Sequence, residues 1–407
     1  MKKIMKHYDR RLVTAPQWME HFQCIAGECP ETCCQQWNIE VDPHHADCYT
    51  HLGDPELQTI MGHLLRSFRV RRPGRRSAEV QFRLQLLNSP DQRCPILNEN
   101  GECRLQKKYG PYALCDTCYF HPRTFFQIDE QIMLSACLSC PECARLAILH
   151  REPTLFSRFE TEIDPNIEWL ETSLMHNAAA RLLMENRASL ISALCEILQE
   201  RALPFAQRLS RACGFLEFLA EESRPDEAAV RRAQELSRDS AAFAVSEYPL
   251  GIINCWLEVF DPIPEAVEKP VQSLAEFTRT LAGGRAGYAA LLAQNYAEGE
   301  RLMEPFLSGN EHLIENFMVH CVFSDSFRQF FRCQNEPLTP RDILCHESAL
   351  LRVWYLFFKV QLAQTSLAQG TMNESLFLQT VIRSDRNWWH YPDWFSRAAD
   401  RYHAIRS

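Results

Sequence analysis

Twelve of the eighteen cysteines in this 407-residue chain fall within its first 143 residues. They stand at Cys24, Cys29, Cys33, Cys34, Cys48, Cys94, Cys103, Cys115, Cys118, Cys137, Cys140 and Cys143, while Cys195, Cys213, Cys255, Cys321, Cys333 and Cys345 are scattered singly over the rest. Thiolates a few residues apart can converge on one metal, because the short loop between them folds back at little ordering cost. The first group is Cys24-x4-Cys29-x3-Cys33-Cys34, followed by Trp37. In the second, Cys94 and Cys103 lead to Cys115-x2-Cys118, which closes on His121-Pro122-Arg123. The third, Cys137-x2-Cys140-x2-Cys143, repeats the spacing that opens a bacterial ferredoxin run but lacks its fourth cysteine.

The compartment decides between metal and disulfide. The opening MKKIMKHYDRRL carries charge but no apolar segment, so no secretory signal is expected. The longest apolar runs, such as 350–360 with Arg352 and Lys359 inside, are too short and too charged to span a bilayer. A cytoplasmic chain keeps its thiols reduced, which favours a bound metal over disulfides. The adjacent pair Cys33-Cys34 also suits local disulfide pairing poorly. All-sulfur donors point to zinc or iron–sulfur rather than magnesium or calcium. Zinc sites usually read as two Cys-x2-Cys pairs across a loop, and Cys115/Cys118 supplies one clean pair, so the irregular spacing leans towards an iron–sulfur cluster. His44 and His45 lie near the first group, but sulfur is abundant enough that no ligation is assigned to them.

The elements that must position these groups change character near residue 145. Residues 1–145 are punctuated by Cys, Pro and Asn-Gly turns, with room for a few short strands such as Val80 to Leu87. Beyond, Leu183, Ile191, Leu194, Ile197 and Leu198 recur at helical spacing, as do Phe215, Leu216, Phe218 and Leu219. Further helices are predicted over 226–244, 273–282, 286–304, 311–322, 341–369 and 373–383, with Pro262, Pro264, Pro270, Pro305, Pro337 and Pro340 at the breaks. The expected fold is mainly α. An irregular cysteine-rich metal- or cluster-binding domain, 1–145, precedes an α-helical domain, 146–407, suited to cofactor or substrate binding. A net charge of −9 argues against a general nucleic-acid binder.

The same residues carry a family resemblance. FQCIAGECPETCCQQWNIEVD (22–42), CPILNENGECRLQKKYGPYALCDTCYFHPR (94–123) and SACLSCPECAR (135–145) resemble the motifs of the flagellin lysine N-methylase family, as does the helical ENFMVHCVFSDSF (315–327). The first two blocks also resemble a wider group of small zinc- or iron-chelating proteins. What the resemblance implies is methyl transfer from S-adenosylmethionine to lysines of flagellin, in a protein holding an iron–sulfur cluster of the 4Fe–4S type, with zinc as the alternative. By position, Cys24, Cys29, Cys33, Cys34, Cys94, Cys103, Cys115, Cys118 and Cys140 match the family pattern and are the implied metal ligands. Cys48, Cys137 and Cys143 are additions in this chain. Gln36 stands where the family usually has glycine, and a turn needing positive φ there would strain it.

Several patterns are absent. No acidic Gly-x-Gly-x-Gly segment supports a Rossmann-like methyl-donor site, and Gly283-Gly284-Arg285-Ala286-Gly287 reads as a helix break. No Cys-x3-Cys-x2-Cys radical signature occurs. Arg123 is suited to clamping a cofactor carboxylate bidentately. A lysine amine, with a pKa of about 10.4, must lose a proton before it can attack. Glu28, Glu31, Tyr109, Tyr119 and Glu142 are candidate acceptors, and none is singled out as the base. Arg66, Arg69, Arg71, Arg72, Arg75 and Arg76 form a solvated basic loop, and Trp388-Trp389-His390-Tyr391-Pro392-Asp393-Trp394 is an aromatic cluster of the kind that seals a terminal helix. Composition and spacing alone leave a metal-stabilised adaptor and an iron–sulfur redox sensor as competing functions.

Overall fold

The computed structural model describes residues 6–70, 79–88, 92–128, 131–165, 183, 186–222, 226–238, 284–327, 339–386 and 399. They belong to two compact units. The first takes 1–126, 132–143 and 157–168, and the second takes 127–131, 144–156 and 169–407. The Trp388–Trp394 cluster, Arg71 to Arg76, Cys255, Cys333, Gly283 and the helix expected over 273–282 lie outside the described residues.

The first unit contains more regular structure than its turn-rich sequence suggests. Strands β1 (Arg10–Pro16), β5 (Arg123–Ile128), β6 (Gln131–Ala136) and β7 (Phe156–Glu162) form a sheet in the order β5-β6-β1-β7, with β1 parallel to β6. Strands β2 (Ile39–Val41), β3 (Leu65–Val70) and β4 (Glu79–Leu84) form an antiparallel sheet in the order β2-β4-β3. Helices α1 (Pro43–Thr50) and α2 (Pro55–Leu64) are each started by an aspartate and a proline. The carboxylates of Asp42 and Asp54 accept the orphan backbone N–H groups, and proline at the first turn has no N–H to leave unpaired. Ile39, Val41, Tyr49, Leu57, Met61, Leu84 and Ile96 build the core on which the short helices α3 (Arg104–Tyr109) and α4 (Asp116–Phe120) rest. Helix α5, Pro141–Ile148, follows β6.

The second unit is helical. Its described helices are α6 (Arg187–Leu198), α7 (Phe205–Ala220), α8 (Glu227–Ser237), α9 (Gly284–Leu307), α10 (Glu311–Asp325), α11 (Pro340–Gln369) and α12 (Glu374–Ser384). Pro305 lies inside α9 near its end, so the expected break falls two residues later, at Leu307. Helix α11 packs against α7, α9, α10 and α12 and is buried on every side, with Trp354, Phe357 and Phe358 at its centre. Thr339 and Asp342 cap its start reciprocally. No described helix is long and apolar enough to cross a membrane.

Candidate metal and cofactor site

Backbone contacts draw the cysteine segments together. The Cys94 N–H donates to the carbonyl of Cys34 at 2.8 Å, and the Gln36 N–H donates to that of Gln92, also at 2.8 Å. The first and second groups are thereby laced side by side. Gln36 adopts φ 67°, a left-handed conformation that strains a residue with a Cβ. The loop that follows Cys94 turns back through Gly101, where φ is 75°, so that the Asn98 N–H reaches the Glu102 carbonyl at 2.9 Å. The third group is tied in by the Cys137 N–H, which donates to the Pro122 carbonyl at 2.8 Å.

The first and second groups line a cavity of about 380 Å³. Cys24, Cys33, Cys34, Cys94, Cys103 and Cys118 line it together with Trp37, Tyr119, His121 and Arg123. The nine family-pattern cysteines fall into two sets whose charges act on one another. Cys24, Cys29, Cys33 and Cys140 form one, and Cys34, Cys94, Cys103, Cys115 and Cys118 the other, joined at Cys34, which acts on both Cys29 and Cys33. Among the described residues, no three of these sulfurs lie within 4.8 Å of one another.

The donor set fits a soft metal centre. Every candidate is a thiol, and the set ranges from the fully buried Cys115 to the exposed Cys24 and Cys33. Burial pushes the thiols of Cys29 and Cys103 up, and that of Cys94 up to about 12. Without a cation these groups hold their protons, and a metal would release them on binding. Within the pairs the balance is uneven. A hydrogen bond from Cys33 brings Cys34 down to about 7, and the same bond raises Cys33. Cys115 is lowered in the same way by Cys118. Cys140 comes down to about 7, chiefly through a hydrogen bond from Cys143.

Other expected residues take more ordinary places. His45 is fully buried, with Nδ1 2.7 Å from the Asp42 carboxylate and Nε2 3.1 Å from the Tyr112 carbonyl, so both ring nitrogens are engaged away from the sulfurs. Burial opposes its charge, but the Asp42 hydrogen bond prevails and its pKa is raised. His44 lies 3.7 Å from Cys48. Asp42, His45 and Asp116 bring three metal-capable atoms together, but Lys6 already supplies a cation there, 2.6 Å from Asp116 and 3.6 Å from Asp42. Arg123 lines the cavity while donating to the Tyr119 carbonyl at 3.3 Å and lying over the Phe22 ring. Among Glu28, Glu31, Tyr109, Tyr119 and Glu142, Tyr119 alone lines this cavity. Its hydroxyl donates to Glu162, whose other oxygen accepts from Tyr112 at 2.7 Å. Sequence reading missed Glu162, since 43 residues and a strand crossing separate it from Tyr119.

Comparison with known proteins bears on what this arrangement serves. Residues 192–401 match the FliB lysine N-methylase C-terminal domain, which covers just over half of the chain. The chain belongs to the FliB lysine N-methylase family. It is 30% identical over 131 residues to a lysine-N-methylase of Salmonella choleraesuis (strain SC-B67), covering 32% of this chain and 31% of that protein. A lysine-N-methylase of Salmonella typhimurium (strain LT2) matches to the same extent. The flagellar biosynthetic protein FliU of Salmonella muenchen is 30% identical over 130 residues, 32% of this chain and 73% of that protein. The match thus spans about a third of the length of the curated lysine-N-methylases. No solved structure matches the chain.

Within the FliB-type helical domain, the Glu315-Asn316-Phe317 motif is part of the packing. Glu315, fully buried, accepts from Arg201 at 2.7 Å and from Arg208, itself 2% exposed. Asn316 donates to the carbonyls of Ile148 and His150 at 2.9 and 2.8 Å, satisfying the end of α5. The Phe317 ring stacks on Phe358 at 3.9 Å. The motif therefore fastens α10 to α5, α7 and α11.

Proposed function

We propose that this chain is a protein-lysine N-methyltransferase that transfers methyl groups from S-adenosylmethionine to lysines of flagellin, in the cytoplasm before the filament protein is exported. Family membership supports the reaction class. The observation that carries the site is the convergence of cysteines from separate segments around a cavity lined by Tyr119 and Arg123. In this reading four of Cys24, Cys29, Cys33, Cys34, Cys94, Cys103, Cys115, Cys118 and Cys140 supply the ligands of an iron–sulfur cluster of the 4Fe–4S type. The all-thiol donor set and its irregular spacing support a soft iron–sulfur centre, with zinc as the alternative. Bound there, such a cluster would supply a soft, redox-capable centre.

The chain's own residues have separable tasks. Arg123 presents a guanidinium on the cavity wall and would pair with the donor's carboxylate. A lysine entering the cavity must shed its proton, and Glu162 is a carboxylate reached through a single hydroxyl, that of Tyr119. The helical part receives the flagellin substrate. The test incubates anaerobically purified protein with flagellin and S-adenosylmethionine carrying a labelled methyl group, then maps methyl-lysine by peptide mass spectrometry. Label on flagellin lysines is expected. Unlabelled flagellin with cluster-loaded protein would refute the reaction.

A further inference from the structure

Residues 6–9, just before β1, reach both sides of the Tyr119–Glu162 pair. Tyr8 spans one face of α4. Its hydroxyl donates to the Asp116 carboxylate at 2.8 Å, and its ring stacks on Tyr119, with centroids 4.8 Å apart and planes 16° from parallel. Asp116 and Tyr119 are three residues apart on that helix, so a single side chain can meet both. The same ring meets Phe120 edge-on at 4.8 Å. One residue further on, the Asp9 carbonyl accepts from the Ile163 N–H at 3.2 Å, beside Glu162. This N-terminal arm therefore joins α4 to the end of β7.

Lys6 anchors the arm. Its ammonium lies 2.7 and 2.6 Å from the two oxygens of Asp116 and 3.6 Å from Asp42. Asp116 is only 4% exposed, and a carboxylate buried that far needs a cation beside it. The Asp116 N–H donates in turn to Asp42 at 3.1 Å. The start of α4 is thus held from two directions, while Lys6 and Tyr8 themselves stay partly exposed.

We infer that Tyr8 is a positioning residue for methyl transfer: it holds the Tyr119 hydroxyl on Glu162, and Lys6 holds Tyr8 in place through Asp116. The inference rests on the proposed role of Tyr119 and Glu162 in taking the proton of the substrate lysine. A hydrogen bond at the tip of a tyrosine fixes its oxygen but leaves the plane of its ring free. Neighbouring rings fix the plane. Tyr112 stacks on Tyr119 at 5.6 Å, but its own hydroxyl is tied to Glu162, so it follows the carboxylate. Tyr8 is tied to the far end of α4 instead and supplies an independent reference. It is not part of the cavity lining, so it acts through Tyr119 and carries no proton itself. Misplacing a reacting group by about 1 Å can cost on the order of a hundredfold in rate, which gives such a prop a measurable effect.

The test places 3-fluorotyrosine at position 119 of the full chain and records its fluorine resonance. Wild-type protein should give one sharp line. Tyr8→Leu should split or broaden it, as should Lys6→Met, which leaves both rings in place. Tyr8→Phe keeps the ring and should keep the line single. Loss of the Tyr8 ring current alone would move the line without splitting it. With flagellin and labelled S-adenosylmethionine, Tyr8→Leu should lower kcat roughly tenfold or more and leave KM for flagellin within about twofold of wild type. Tyr8→Phe should restore most of that rate. A single sharp line in folded Tyr8→Leu overturns the inference, as does an equal loss of kcat in Tyr8→Phe. Lys6→Met decides the matter if the leucine variant fails to fold, and a single sharp line there overturns it too. Wild-type protein that leaves flagellin unmethylated would contradict the proposed function instead, and the fluorine line would still report whether Tyr8 holds Tyr119.

Discussion

Gly27 and Gly101 stand back to back, so close that a Cβ on Gly27 would lie 2.2 Å from the Asn100 carbonyl oxygen. The turn carrying Cys24 and Cys29 is pressed by this contact onto the loop between Cys94 and Cys103. Gly27→Ala must therefore push one backbone off the other, at a cost of about 1–3 kcal/mol. A lowered midpoint for thermal unfolding and a loss of bound metal are expected together. An unchanged midpoint would mean that the two loops part freely.

Gln36 holds φ 67° without the freedom of glycine. A left-handed non-glycine residue costs roughly 1–2 kcal/mol, and part of that is returned as unfolded-state entropy when glycine replaces it. Gln36→Gly should stabilise the protein by roughly 0.5–1 kcal/mol, read from denaturant midpoints at constant slope. Destabilisation would show that the Gln36 side chain contributes more than its backbone strain removes.

Cys34 and Cys48 separate ligand from core thiol. Cys34 lines the cavity and joins the two sulfur sets, whereas Cys48 is packed in the hydrophobic core beside Tyr49 and Leu52. Cys34→Ser should weaken metal retention by roughly tenfold or more. Cys48→Ser should lower stability and leave the metal content per folded chain unchanged. Metal analysis of both variants checks the pair, and equal metal loss would remove the distinction.

Glu347 gives the helical unit a pH dependence. It is fully buried on α11, with one oxygen accepting from the Phe327 N–H at 2.9 Å. Burial raises its pKa from 4.5 to about 7, against the opposing charges of His346 and Arg187. The folded state holds this proton more tightly than the unfolded chain. Its contribution to stability is therefore present below pH 4.5 and lost as the pH rises towards 7. At about 1.4 kcal/mol per pH unit the loss amounts to about 3 kcal/mol. Glu347→Gln should flatten the stability curve across that window, as measured by thermal melts at graded pH. An unaltered curve would place the titration elsewhere.

Local signals made the helices legible, and non-local pairing hid the sheets. The expected 286–304, 311–322, 341–369 and 373–383 lie close to the observed 284–307, 311–325, 340–369 and 374–384. Apolar spacing and flanking prolines act within a turn or two, as at Thr339-Pro340. Strand β1 instead pairs with β6, Val13 facing Ile132, a partner no short window contains. The cysteines were visible as a cluster, but the joining of the first group to the second depends on the Cys34–Cys94 backbone contact. Glu162 and Lys6 escaped notice for the same reason, Glu162 meeting Tyr119 across 43 residues and Lys6 meeting Asp116 across 110. Gln36 was legible only through the family resemblance, which sets glycine at its position.

In the proposed function the N-terminal thiols are ligands of an iron–sulfur cluster. Counting iron, acid-labile sulfide and zinc per chain on wild-type protein purified without oxygen tests this ligation. Iron with matching sulfide is predicted, and both should fall in Cys34→Ser. Stoichiometric zinc without sulfide would contradict the claim and make the cysteine unit a structural metal site.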